Sequence, residues 1–309
     1  MSSASTVAAG TVRASLRRQR IDVAGYVFSA VLLLSLLFTL ALLAVLVGDQ
    51  LVRGAPVFAE RGASILTSPL SSSPARAGVI QGLIGSALLA VIVALTAFPI
   101  GILTAVYIEE YAPASRLTRF IDINIRNLSG VPSVVYGLLG LAVFVALLSN
   151  VGEANGANVL TGGLTLAVLI LPLVIITSAE AIRAVPSTIR EAGYGIGASR
   201  WQVVRKLVLP SATPGILTGT VLALSRALGE TAPLILVGAV LGSFSAGHSL
   251  ADLFTGPYSA LPVIVYDWAR KPQADFRSLT SAAIIVLLAV TVIANAFAIL
   301  LRNRYDRRW

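Results

Sequence analysis

The chain has 309 residues, 56% of them hydrophobic and only 12% charged, with a mean hydropathy of +0.87, far more apolar than a water-soluble domain, so the sequence specifies an integral membrane protein. With no cysteine and a single histidine, His248, it excludes a disulfide framework, a thiolate nucleophile, cysteine-ligated zinc or iron–sulfur clusters and a histidine-rich metal site. The formal charge of +9 sits on short segments beside apolar stretches, without an aromatic-interleaved basic face, which argues for membrane orientation and against nucleic acid.

Residues 1–10, rich in Ser, Thr and Ala, read as a disordered tail, and with Arg13, Arg17, Arg18 and Arg20 they make a basic N-terminal segment, 1–22. The apolar run that follows is far longer than the core of a signal peptide and reads as a retained anchor. Six stretches are long enough to cross a bilayer, at roughly 23–47, 79–107, 131–149, 161–182, 214–241 and 279–301. They predict one all-α membrane domain, 23–301, of six transmembrane helices, followed by a basic tail, 302–309.

Orientation follows from the arginines and lysines of the connecting segments. If the N-terminus is inside, the cytoplasmic segments carry Arg13, Arg17, Arg18, Arg20, Arg116, Arg119, Arg126, Arg183, Arg190, Arg200, Arg205, Lys206, Arg302, Arg304, Arg307 and Arg308. Outside remain Arg53, Arg61, Arg76, Arg270, Lys271 and Arg277. Sixteen against six predicts both termini inside, on the cytoplasmic side of the membrane. The outer segments are then 48–78, a short one around Glu153-Ala154-Asn155-Gly156, and 242–278. The last carries Asp252, Tyr258, Tyr266, Asp267, Trp268 and Asp275, which suit a partner-docking surface or, equally, interfacial aromatic anchors with solvated charges.

Small residues four apart, at Gly78 and Gly82 and at Gly215, Gly219 and Ala223, with Gly137 and Gly140 in the third span, mark faces where helix backbones approach.

Between the fourth and fifth spans lies a polar interlude, 183–212. Pro186 ends the fourth span's extension, Thr188-x-x-Glu191 offers a capping box for a short helix, and Gly193, Gly195 and Gly197 break it. Ser199-x-x-Gln202 caps a second helix over Trp201, Val204 and Leu207, which Leu209-Pro210 stops. Two short helices over about 187–208, with Trp201 and two valines exposed, suit a partner's groove. The alternative is an amphipathic hairpin lying in solvent.

In the fifth span Thr213 and Pro214 predict a helix start. Arg226, twelve residues on, then lies about 18 Å along, near the middle of a roughly 30 Å core. Glu230 follows one turn later, and Pro233, unable to donate to the carbonyl of Gly229, predicts a bend beside it. An arginine at mid-membrane costs about 2.5–3.5 kcal/mol, so it faces a cavity or a partner. Arg226 and Glu230 are either an i, i+4 ion pair that holds the bundle together or a guanidinium offered to a passing oxyanion with a carboxylate positioning it.

The run Glu191-Ala192-Gly193, three residues, Gly197, nine residues, Leu207-x-Leu209-Pro210 resembles the cytoplasmic signature of binding-protein-dependent ABC importer permeases, written EAA, x3, G, x9, I-x-LP. It departs at Gly193 for Ala and Leu207 for Ile. Pro99-Ile100-Gly101, Tyr107-Ile108-Glu109-Glu110-Tyr111, Leu128 to Gly137 and above all Ser225-Arg226-Ala227-Leu228-Gly229-Glu230-Thr231-Ala232-Pro233-Leu234 resemble the A-type (PstA) permeases of phosphate importers. The resemblance spans about 78 to 301 and implies a type I importer permease fold.

It further implies a heteromeric complex with a C-type permease, two copies of a cytosolic ABC ATPase and an external phosphate-binding protein. Glu191, Ala192, Gly193, Gly197, Trp201, Leu207, Leu209 and Pro210 would couple to the ATPase. Arg226, Glu230 and Thr231 would line a phosphate pathway, and Pro233 would bend the helix. The two lysines, Lys206 and Lys271, lie in no G-x-x-x-x-G-K-[ST] loop, so this chain is expected to be no enzyme and to hold no cofactor, ATP and Mg belonging to the partner. Alternatives are a permease for sulfate or molybdate, a proton-coupled carrier using Glu230, and a scaffold without transport.

Overall fold

The computed structural model describes residues 23–150, 156–239 and 256–305. The two tails with their arginines at 13, 17, 18, 20, 307 and 308, the outer residues Glu153, Ala154 and Asn155, and His248 and Asp252 lie outside the described residues. The chain divides after Val52 into two units.

The first unit contributes residues 23–52 of α1 (Val23–Arg61). Its leucines, valines and phenylalanines are exposed all round, an arrangement that only hydrocarbon solvates. Two of its hydroxyls turn back onto the helix, Ser35 donating to the carbonyl of Val31 at 2.9 Å and Thr39 to that of Ser35 at 2.8 Å, so these groups are satisfied without water.

In the second unit α2 (Ser64–Thr67) is a single turn and α3 (Ile80–Val106) continues as a π-helical turn, Tyr107–Tyr111. Then come α4 (Arg116–Ser129) and α5 (Ser133–Gly140), which runs through a π-helical turn (Leu141–Val145) into α6 (Ala146–Asn150). Next are α7 (Val159–Arg183), α8 (Ser187–Gly195) and α9 (Arg200–Val203), joined by the π-helical turn Val204–Val208 to α10 (Leu209–Gly229). α11 (Ala232–Leu236), α12 (Leu261–Ala269) and α13 (Asp275–Tyr305) complete it. Among the described residues five helices are long and apolar enough to cross a membrane, and Arg116–Ser129 with Ser133–Ser149 makes a sixth candidate bent by 100°. No strand occurs among the described residues.

Helix α7 is the hub: 67% of its most apolar window is buried, which makes it the wall against which α3 and α10 pack. Leu166, Ile170 and Val174 meet Leu89, Ile92 and Val93 of α3 and Ala223 and Ala227 of α10 in one core. The small-residue stripe of α10 is a packing face, as its spacing predicts: a Cβ on Gly215 would lie 2.7 Å from that of Ala181, and one on Gly219 would collide with Thr177. These contacts make α7 and α10 antiparallel, with Arg226 level with Ile170, at the middle of α7. A second core joins Val57 and Ile65 to Trp268, Phe276 and Ala282 at the opposite end of the molecule from Arg183.

Three expectations shift. The fifth span does not begin at Thr213: Arg200–Gly229 is one helix, Thr213 donates to the carbonyl of Leu209 at 2.7 Å, and Pro214 lies inside the helix. Leu209-Pro210 therefore does not stop the second short helix, because the wider π-helical turn just ahead absorbs the residue without an N–H. The third concerns Pro233: the bend expected beside Glu230 is a full break there, since the helix ends at Gly229, Glu230 is extended (φ −77°, ψ 128°), and Pro233 lies in the first turn of α11 and not inside α10.

Candidate functional site

Two neighbourhoods hold the expected site residues. The first is the break between α10 and α11. Arg226 lies in the last turn of α10, where its charge also complements the helix C-terminus. Its Nε is 3.4 Å from Oε1 of Glu230, the side chains being 41% and 17% exposed. Among the described residues neither Nη atom has a hydrogen-bond acceptor, so toward them the planar fork is open. Arg226 shares an exposed stripe of α10 with Thr218, Leu222 and Gly229.

The neighbours of this break are built closely. Gly137 of α5 lies against it, since a Cβ there would come within 2.7 Å of the Cα of Pro233. The hydroxyl of Tyr136 donates to the carbonyl of Leu128 at 2.8 Å, tying α5 to the last turn of α4. On the other flank Ser225 donates to the side-chain oxygen of Asn295 on α13. Thr231 is half-buried and gives no side-chain cap to α11; its carbonyl accepts from Ile235 at 3.1 Å.

The second neighbourhood is the segment 184–208. Helix α8 starts directly after Pro186 with no side-chain cap, so Thr188 falls inside the first turn and the expected Thr188–Glu191 box does not form. Gly197 has φ +79°, a left-handed conformation that glycine adopts without strain. The box at Ser199 and Gln202 forms in both directions. Glu191, Ala192, Gly197, Trp201 and Pro210 are exposed, while Gly193 is buried and Leu207 and Leu209 are half-buried. Val203 and Val204 are fully buried with Ile182, Val208 and Ile216, so the valines expected at the surface belong to the core. Sequence reasoning missed the apolar residues that are exposed beside Trp201, namely Tyr194 and Ile196, the latter 86% exposed.

It also missed what holds this segment. Arg190 donates from Nη2 to Glu110 at 2.7 Å and to the carbonyl of Ile182 at 3.0 Å, and from Nη1 to the carbonyl of Val185 at 2.7 Å. Arg183 pairs with Glu109 beside it, and Arg200 stacks over the Tyr111 ring at 5.1 Å. One guanidinium thus bonds both a buried carboxylate and two carbonyls at and just beyond the end of α7. The available signal was two adjacent carboxylates, in a chain with only 14 acidic residues, at the end of an apolar span.

Residues 97–308 match the protein family described as binding-protein-dependent transport system inner membrane component. The chain is 36% identical over 235 residues to the phosphate transport system permease protein PstA of Mycobacterium leprae, covering 75% of this chain and 72% of that protein. It is 33% identical over 228 residues to PstA of Pasteurella multocida, covering 72% and 75%. Among solved structures, a bacterial alginate ABC transporter in complex with its pentasaccharide-bound periplasmic protein has a chain that superposes with a TM-score of 0.64 at 17% identity, over 91% of this chain and 96% of that one.

Proposed function

From the premise that this chain belongs to the family of binding-protein-dependent transport system inner membrane components, we propose that it is the A-type permease of an ATP-driven phosphate importer. The observation that carries the reading is Arg226, its fork open, on an exposed helix face at the mid-depth of the bundle. A helix broken at membrane depth is tolerated where it lines a cavity or partner, and a guanidinium fork matches two oxygens of a phosphate. The loose contact at 3.4 Å suits a carboxylate that aims the guanidinium and yields to the ion. The names of the relatives favour phosphate over sulfate or molybdate.

In this reading both termini and the 183–212 segment face the cytoplasm. Glu191, Tyr194, Ile196 and Trp201 dock into a cleft of an ABC ATPase dimer, whose ATP and Mg drive the cycle. A C-type permease supplies the other wall of the pathway opposite Thr218, Leu222 and Arg226, and an external phosphate-binding protein delivers the ion. ATP-driven closure moves α8, and Arg190 carries that movement to α3 and α7 through Glu110 and the α7 carbonyls, exposing Arg226 to one side at a time. The test is phosphate uptake by the reconstituted complex: it should need ATP, survive a proton uncoupler and vanish in Arg226→Gln with all subunits still assembled. Loss of assembly in that variant would instead make the pair with Glu230 structural.

A further inference from the structure

Helix α4 buries none of its 14 residues. At 100° per residue Leu117, Phe120, Ile121, Asn124 and Leu128 fall on one stripe, and its four apolar members are exposed, Leu117 by 67% and Phe120 by 63%. The opposite side carries Arg119, Asp122 and Arg126. Arg126 turns inward, its Nε 3.2 Å from Asp122 and its Nη1 3.8 Å from Glu180 near the end of α7. The axis of α4 turns 100° from that of the following span segment. The helix therefore lies across the bundle beside the Arg183 end, its polar side on the protein and its apolar stripe facing away.

An open cleft of about 430 Å³ separates α4 from the ends of α3 and α7, lined by Glu109, Ser115, Arg116, Arg119, Asp122 and Arg183. Arg183 is committed to Glu109 and Asp122 to Arg126. Arg116 and Arg119 form no ion pair with a described residue. Arg116, at the edge of the stripe next to Phe120, and Arg119, on the cleft side one turn along, are thus two guanidinium groups without an ion pair among the described residues, and with the stripe they complement a molecule that carries an anionic phosphodiester and acyl chains together.

We propose that α4 is an in-plane interfacial helix that seats an anionic phospholipid, with the acyl chains along Leu117, Phe120 and Leu128 and the headgroup phosphate on Arg116 and Arg119. A strongly two-faced helix of low overall hydrophobicity with arginines at its flank is the form that settles at a headgroup boundary, and basic clefts between spans hold anionic headgroups. The inference is independent of which solute the complex carries.

Because the chain has no cysteine, Phe120→Cys and Ala63→Cys, the latter at an exposed position away from the 184–208 segment, each give this chain a sole thiol for a fluorophore. In the intact complex in nanodiscs, the Phe120→Cys label should be quenched by brominated phosphatidylglycerol more strongly than by brominated phosphatidylcholine, while the Ala63→Cys label should respond only to aqueous iodide. Adding Arg116→Gln and Arg119→Gln to Phe120→Cys should weaken the phosphatidylglycerol preference by about thirtyfold, as expected for two lost surface cations, and millimolar inorganic phosphate should not displace the lipid. Three results would each overturn the proposal: equal quenching by both lipids, iodide access at Phe120, or crosslinking of Phe120→Cys to the second permease, which would put a protein where lipid is expected. Displacement by inorganic phosphate would reassign the arginines to the free ion and overturn it too.

Discussion

Arg190 and Glu110, eighty residues apart, form one clamp: the guanidinium meets the buried carboxylate from Nε at 3.0 Å and from Nη2 at 2.7 Å while also bonding two carbonyls at the end of α7. Glu110→Gln keeps the shape and removes the charge. Breaking a buried pair costs about 3–5 kcal/mol; Arg190 retains its carbonyl acceptors, so a loss of about 1–3 kcal/mol in stability is expected. The ATPase should still co-purify, but phosphate moved per ATP hydrolysed should fall at least threefold. An unchanged ratio would show that α8 works without the clamp.

Arg226→Lys keeps the charge and loses the planar fork. If the fork binds the ion, uptake should drop by about 10- to 100-fold, the scale of one bidentate, charge-assisted contact, with assembly intact by size-exclusion chromatography. A charge exchange, Arg226→Glu with Glu230→Arg, separates the readings further, because it should restore a structural pair but not transport.

Gly193 and Leu207, the two departures from the family signature, touch: a Cβ on Gly193 would lie 2.8 Å from Cδ1 of Leu207 and from Cγ2 of Val203. Gly193→Ala should therefore fail to deliver the about 1 kcal/mol that alanine offers inside a helix. Combined with Leu207→Ile it should recover part of that gain. Thermal unfolding of the two single variants and the double would show the coupling, and strict additivity would refute it.

Gly215 and Gly195 look alike in sequence and differ in surroundings. Gly215→Leu must push α10 off Ala181, an overpacking cost of about 1–3 kcal/mol or more, visible as a lower melting temperature in detergent. Gly195→Ala meets nothing within 4 Å and should leave the melting temperature unchanged or slightly higher.

The features visible in the sequence were those set by nearest neighbours along the chain. Hydropathy found the spans, the Ser199–Gln202 box is spelled out in four residues, and the Arg226–Glu230 spacing holds in space. Features set by distant partners were hidden: the partners of Glu109 and Glu110 lie on the far side of two spans, and Val203 and Val204 look like surface residues until α7 covers them. Pro210 misleads because a proline normally ends a helix, whereas the π-helical turn Val204–Val208 lets this one continue. Helix α4 has a plain period, but arginines 116, 119 and 126 signal membrane orientation as readily as they mark one face of a helix.

The uninterrupted run Arg200–Gly229 makes Trp201 and Arg226 opposite ends of one rod, about 37 Å apart at 1.5 Å per residue. Pivoting such a rod by about 4° at the tryptophan sweeps the arginine through roughly 2.6 Å, close to a hydrogen-bond length. In the proposed transport cycle, an angular change too small to alter the outline of the molecule would therefore be enough to make or release a grip on an ion halfway through the membrane.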